Sequence, residues 1–402
     1  MPKKFHLELG EPHTIVQGAV GDQAWGHYQF PTLDYTDNGH LIASWSYGDD
    51  AIDGKHHDGG VNPPFISLDG GRTWEPNNGR EKISCKWKMP DGRYFLGFEG
   101  CSAYPVEYLE KYTPGVSWNN GSALYYAADI EETQDTTVRA RIYDPVTDTV
   151  ERYEPKVNWP YMPLMKYWGK RVYPVSQAFA LCNCSILVRD GILYILVYNY
   201  GFDSQAKSRE ESVMKYSNLY SVYVLSSEDS GRTWNYLSQI SVDEDMFDPT
   251  PGFHGPGEPM MDKMPDGSFV MLIRTGSKHK SYITRSADGC RTWTKPAVFD
   301  EIGVLPQILT LGCGVTLAGY GRPDLRLRAT GDPAGMVWED PIRMDIYGMK
   351  MEDFMQRSCF YTKFLPVDDH TALWAYTDFQ YPNADGEPAR AVLVRTVTVV
   401  ED

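Results

Sequence analysis

Charged and amide side chains stand at matching places along this 402-residue chain. Ahead of apolar, strand-like runs lie Gln29, Lys86 and Trp87, Gln177 or Asn183, Glu258, Gln307 and Tyr361. After the second run of each unit lie Asp49, Asp50 and Asp53, then Glu99, Tyr198 or Tyr200, Arg274, Arg322 and Asp378. Carboxylates, guanidiniums, amides and a phenol gathered at one spot are costly unless they pair or serve a ligand, so the set reads as a polar ligand site. Such a site needs a scaffold that repeats one pair of positions around a common centre.

Two rulers in the sequence describe that scaffold. The first is a turn of Asp or Asn with Gly, or a close variant, between two β-rich runs: Asn38-Gly39, Asp91-Gly92, Asp190-Gly191, Asp266-Gly267, Gly312-Cys313-Gly314 and Asp368-Asp369. Asn-Gly and Asp-Gly favour hairpins because both central residues tolerate positive φ. The second is an eight-residue motif, Ser67-Leu-Asp69-Gly-Gly71-Arg-Thr73-Trp74, repeated as Ser227 to Trp234 and as Ser286 to Trp293. Asp bonds nearby backbone N–H groups, Gly takes positive φ, and Trp is an apolar wedge, so each copy suits a tight β-turn with a structural role. The third copy has Cys290 where Gly is expected and Gly289 one place earlier, which predicts an adjusted turn. Eroded copies fall near Asp144 to Asp148, around Asp332 to Trp338, and at Asn383-Ala-Asp385-Gly386.

The rulers alternate, as expected if each unit has a hairpin joining its first two strands and a motif turn joining its last two. Four-stranded units repeated about an axis make a β-propeller, so the chain reads as an all-β, six-bladed propeller forming one domain over residues 1–402. The innermost strand of each blade then runs beside the axis, its hairpin turn on one face and the polar positions above on the other. The second unit is oversized, with an aromatic-rich insertion over residues 100–176 read as extended loops and extra strands that wall a sugar site or make an oligomer contact. Segment 203–216 is the best candidate for a helix or a mobile loop.

The Asp motif is the Asp-box, or BNR repeat, and the chain resembles the sialidase superfamily. The segment Gly257-Glu258-Pro259 through Asp266-Gly267 to Arg274 is similar to the sialidase segment in which a Glu and an Arg flank a hairpin. Arg322 stands where a further substrate-binding Arg falls, and Tyr361 resembles the nucleophile that opens the last inner strand. Asp49, Asp50 and Asp53 follow the first hairpin where those enzymes carry the acid/base Asp, Asp53 having the most similar offset. The resemblance implies retaining glycoside hydrolysis: Glu258 takes the Tyr361 proton, an Asp protonates the leaving oxygen and then activates water, and the arginines hold an acidic group. Independently of the resemblance, the positions read from the turns give Gln29, Glu99, Gln307 and Asp378 as substrate-binding candidates, with His27 near the same pocket loops. The first inner strand opens as Tyr28-Gln29-Phe30-Pro31, where sialidases have Arg in place of Gln29. A neutral amide grips a carboxylate less well than a guanidinium fork, which points to an acidic or modified sugar other than ordinary sialic acid.

Three alternatives stand beside this reading. Glu258 can form an ion pair with an arginine without catalysis, and Tyr361 can be a core aromatic. A polysaccharide lyase or related enzyme would use a His, with His27, His254 and the pair His56-His57 as candidates, or a Tyr, to abstract a proton beside a uronate carboxylate. A noncatalytic glycan-binding propeller needs neither set.

Composition narrows the partners. Lys plus Arg number 38 against 54 Asp plus Glu, a net charge of -16, which disfavours nucleic acid. No run approaches the ~20 apolar residues of a membrane span. The opening residues lack the apolar stretch of a signal peptide, so the chain reads as cytosolic, and its seven cysteines as reduced thiols. Cys182-Asn-Cys184 reads as core, and no cofactor or metal is expected.

Overall fold

The computed structural model describes residues 3–22, 26–47, 64–82, 87–99, 104–117, 123–126, 129, 131, 139–158, 163–167, 171–174, 185–208, 210–322, 324–344 and 361–402. Six sheets, antiparallel apart from one added edge strand, follow one another along the chain as the blades of a β-propeller. The inner strands are His27–Tyr35, Trp87–Lys88, Ile186–Arg189, Phe253–Lys263, Val304–Thr310 and Thr362–Pro366. Each is joined to its second strand by one of the six expected hairpin turns, so the first ruler holds in every blade. Residues from all six inner strands, among them Asp34, Lys88, Arg189, Asp262, Gln307 and Lys363, line an axial cavity of about 470 Å³.

Alternation builds the seams between blades. In the second strand of blade 3, Leu193, Ile195 and Val197 pack with Phe95 and Ile142 of blade 2, while Tyr194 and Leu196 pack with Met261, Met271 and Ile273 of blade 4. A strand buried on both faces must be apolar at every position, which explains its unbroken run of Ile, Leu, Tyr and Val. Each such side chain removed from water contributes roughly 1.5–3 kcal/mol.

The motif turns join third to fourth strands in blades 1, 3 and 4, with one hydrogen-bond pattern. Ser67 Oγ donates to Asp69 and accepts from Gly71 N, both at 2.8 Å, and Asp69 accepts from Thr73 N at 2.9 Å. The third copy is not adjusted as expected. Cys290 takes φ 67° where Gly71 has 93° and Gly231 has 84°, and its N–H donates to Ser286 Oγ at 2.9 Å. Hydrogen bonds from the turn hold a residue with a Cβ in the left-handed region.

The expectation at Asn383 is also corrected, because that turn joins the second and third strands of blade 6, Thr371–Pro382 and Pro388–Glu401. Blade 6 has no third-to-fourth connection for a motif turn to make. Its outer edge comes instead from the chain's beginning, with Phe5–Leu9 and His13–Gln17 both pairing antiparallel with Pro388–Glu401. This closes the ring and covers a long strand edge.

Within the long second unit, Arg139–Asp144 and Thr149–Tyr153 are the blade's own third and fourth strands. Lys156–Asn158 then pairs in parallel with Thr233–Ile240 and widens blade 3. A further five-stranded sheet takes Tyr104–Pro105, Val116–Ser117 and Ala123–Tyr126 from before these strands and Pro163–Tyr167 and Arg171–Pro174 from after them. The described residues of segment 203–216 form successive turns and loop rather than a helix.

Candidate active site

The face opposite the hairpins is shaped by a repeated local distortion. Phe30, Glu258 and Leu305 have φ of 49°, 42° and 39°, and each directly precedes a proline. Strand pairing shifts register at each of these places. A non-glycine residue in this region is strained, and proline after it narrows the choice further, so the surrounding blades must impose the conformation.

These three residues and Tyr361 are equivalent. Each lies six residues before the residue whose N–H closes its hairpin, namely Thr36, Met264, Leu311 and Val367. Four blades therefore present Phe30, Glu258, Leu305 and Tyr361 at one level. The Phe30 and Tyr361 rings stack with centroids 4.5 Å apart, and Phe379, Leu305 and Val304 pack in the same cluster. Glu258 Oε2 accepts the backbone N–H of Leu305 at 3.0 Å, which ties blade 4 to blade 5.

From Glu258 a chain of hydrogen bonds crosses to Tyr361. Arg274 Nη1 donates to Glu258 Oε1 at 2.6 Å, and Arg274 Nη2 donates to Ser277 Oγ at 2.7 Å. Arg322 Nη1 reaches the same Ser277 oxygen at 3.4 Å, while Arg322 Nη2 donates to the Tyr361 hydroxyl at 2.9 Å. The Arg322 guanidinium also lies over the Tyr361 ring, 5.2 Å from its centroid. Both arginines are buried. Burial by itself raises the Glu258 carboxyl, but the adjacent Arg274 charge and hydrogen bond outweigh it, and the group stands below the ordinary range. Arg274 is correspondingly held charged against its own burial by Glu258.

Histidine 254 flanks this pair. Its Nδ1–H donates to Gly255 O at 2.7 Å, which leaves the lone pair on Nε2, and its ring lies 5.3 Å from that of Tyr220. Burial first, and then the Arg274 charge, push the imidazole down to about 4, so it is neutral at pH 7. A Cβ at position 257 would stand 3.1 Å from His254 and 3.5 Å from Tyr198, so glycine there lets these rings approach Glu258's strand.

The remaining sequence-derived residues are spread more widely. Gln29 is fully buried, and among the described residues neither its amide nitrogen nor its amide oxygen has a hydrogen-bond partner. His27 Nδ1 is 3.1 Å from Asp22, and its carbonyl accepts from Arg390 at 3.4 Å. Asp378 is buried and accepts from Gln380 N at 2.8 Å. Glu99 pairs with Arg152 at 2.9 Å and with Arg141 at 3.9 Å on its own blade. Gln307 lies deeper, on the wall of the axial cavity, with its amide donating to Pro306 O at 3.2 Å. Asp49, Asp50 and Asp53, with Lys86, Gln177, Asn183 and His56-His57, lie outside the described residues. Trp87 lines the axial cavity, and Tyr198 stands beside Gly257. Sequence reasoning missed Ser277 and the Leu305 N–H. Ser277 was within reach as a loop residue just after a second strand, and the Leu305 position is marked by Pro306, eight residues before Gly314 as Pro259 is before Gly267 and Pro31 before Gly39. Among the described residues no group of three or more His, Cys, Asp or Glu is arranged to hold a metal ion.

No family model and no curated protein matches the chain. Its fold is shared with solved structures. One is a protein of unknown function from Dyadobacter fermentans DSM 18053, with 17% identity, a TM-score of 0.55, and 98% of this chain and 99% of that chain covered. Another is the alpha-L-arabinanase of Penicillium chrysogenum complexed with arabinobiose, with 12% identity, a TM-score of 0.46, and 96% and 98% covered. A Hadza microbial sialidase follows at 13% identity and a TM-score of 0.39, with 95% of this chain and 67% of that chain covered. At these identities the likeness is one of fold: the structural neighbours include propeller glycoside hydrolases.

Proposed function

We propose that this propeller is a glycoside hydrolase of the sialidase type, acting from the end of a glycan on an acidic or modified sugar. The observation that carries the proposal is the bonded chain Glu258–Arg274–Ser277–Arg322–Tyr361, which gathers a carboxylate, two guanidiniums and a phenol from three blades. Tyr361 is the nucleophile. The Arg322 N–H directed at its oxygen at 2.9 Å favours the phenolate over the phenol, and a phenolate avoids the like-charge repulsion that a carboxylate nucleophile meets at an acidic sugar. Glu258 is the base for the phenol, exchanging its hold on Arg274 for the proton when substrate arrives, and an Asp among Asp49, Asp50 and Asp53 is the acid/base. The buried Gln29 amide, which has no partner among the described residues, supports a ligand that offers it neutral hydrogen-bonding groups, since an enclosed amide otherwise forfeits them. The ligand is accordingly an acidic sugar of another type than ordinary sialic acid, a uronic acid or an altered nonulosonic acid.

A panel of aryl glycosides and acidic oligosaccharides tests this. Turnover is expected on an acidic sugar, with poor hydrolysis of sialyllactose. Efficient cleavage of sialyllactose would remove the specificity assigned to Gln29. A product with new near-ultraviolet absorbance would mark a lyase, for which the neutral His254 is the candidate base. The Glu258–Arg274 ion pair also favours a second reading, a noncatalytic glycan-binding propeller, which predicts binding without turnover across the panel.

A further inference from the structure

Ser277 is the one described side chain that touches both guanidiniums of the site, accepting from Arg274 Nη2 at 2.7 Å and, more weakly, from Arg322 Nη1 at 3.4 Å. It stands at the exit of the second strand of blade 4, Phe269–Gly276, one residue beyond the Gly276 carbonyl that Arg274 Nε also contacts at 3.4 Å. A serine hydroxyl has two acceptor lone pairs and one hydrogen. With cationic N–H groups on the acceptor side, the hydrogen must point away from both arginines. Among the described residues it has no acceptor, and Ser277 is only half-buried, which leaves the hydrogen available to a ligand. N–H donation into the oxygen also polarises the O–H and strengthens it as a donor.

Arg274 complements this arrangement. Of its five N–H groups, one on Nη1 goes to Glu258, one on Nη2 to Ser277, and that on Nε toward Gly276, which leaves one on each terminal nitrogen not taken up by the described residues. An anion placed beside Ser277 would meet an O–H donor flanked by two guanidiniums, the arrangement that favours a charged, planar oxygen pair over a neutral hydroxyl or ester.

We propose that Ser277 is a specificity-determining residue: its O–H is the third donor, beside Arg274 and Arg322, to the carboxylate of an acidic sugar, and its oxygen sets the separation of the two guanidiniums. This rests on the acidic-sugar reading above. Binding of D-glucuronate, D-galacturonate and N-acetylneuraminate, each against its own methyl ester, is to be measured by titration calorimetry with wild-type protein, Ser277→Ala and Ser277→Thr. The wild type is expected to prefer at least one acid over its ester. Ser277→Ala is expected to lose about tenfold of that preference, as for one charge-assisted hydrogen bond, and Ser277→Thr, which keeps the hydroxyl, to retain it. Should the Ala variant fail to fold, Ser277→Cys replaces it, its weak S–H donor giving the same loss. A wild type without preference for any acid overturns the acidic-sugar reading and the role of Ser277 together. A wild type that prefers an acid, with an Ala or Cys variant that keeps the preference, overturns the role of Ser277 alone.

Discussion

The carboxylate of Glu258 accepts the backbone N–H of Leu305 at 3.0 Å, and both residues are held in the left-handed region immediately before a proline. The bond joins equivalent strained positions on neighbouring blades. With its second oxygen on Arg274 at 2.6 Å, Glu258 is fixed at the point where blades 4 and 5 meet the axial face. Strain of this kind persists only where the surroundings over-determine it, and here it aims a carboxylate at an arginine.

If Glu258 and Tyr361 act as one unit, Glu258→Gln and Tyr361→Phe each remove most of the turnover, at least about a hundredfold, and the double variant is little worse than either. Steady-state kinetics on the best substrate of the panel checks this. A Tyr361→Phe variant with near-wild-type turnover excludes the covalent Tyr mechanism.

Stability should fall as acid is added. Glu258 is depressed in the folded protein, so its contribution is fully present above the unfolded value near 4.5 and is lost as pH falls through the lower folded value. Asp288, held down to about 2 first by the Thr292 hydroxyl and then by its N–H, and Asp69, held lower still by the Thr73 N–H and hydroxyl, act in the same direction. Urea unfolding at pH 7 and pH 3.5 should show a smaller loss for Glu258→Gln than for wild type. The variant is also expected to be weaker by about 3 kcal/mol at pH 7, because it leaves Arg274 buried without its counter-charge.

Trp234 is fully buried, its ring 5.7 Å from Phe95 and 5.5 Å from Phe98 across the seam with blade 2. Trp234→Ala is expected to cost about 3–5 kcal/mol through lost burial and a cavity, seen as a lowered midpoint of thermal unfolding. Trp74 and Trp293 are only part-buried and should cost less when replaced. Unchanged stability with lost ligand binding would instead make these residues part of the site.

The Cys290 thiol is fully buried in the third motif turn, and burial pushes it up to about 12. Too little thiolate forms at pH 8 for reaction. Iodoacetamide should leave Cys290 unmodified in the folded protein and label it once denaturant is added, as read by peptide mass spectrometry.

Blade number and topology were legible in the sequence because they rest on local chemistry. Six Asp- or Gly-bearing turns and three Asp motifs, the third with Cys290 in place of Gly, dictate where the chain reverses, and their alternation with doubly apolar strands dictates four strands per blade. Glu258, Arg274, Arg322 and Tyr361 could be nominated because their offsets from those turns put them at one end of the axis. Local rules could not assign the outer strand of blade 6, since Phe5–Leu9 and His13–Gln17 meet Pro388–Glu401 only when the ring closes. Nor could they foresee that Glu258 reaches the Leu305 N–H, that Ser277 bridges two arginines, or that the Gln29 amide has no partner among the described residues. Those relations depend on side-chain directions from different blades, set by register shifts and left-handed residues before proline. A sequence pattern carries the period of a strand, whereas the direction of a side chain at a bulge is decided by what packs around it.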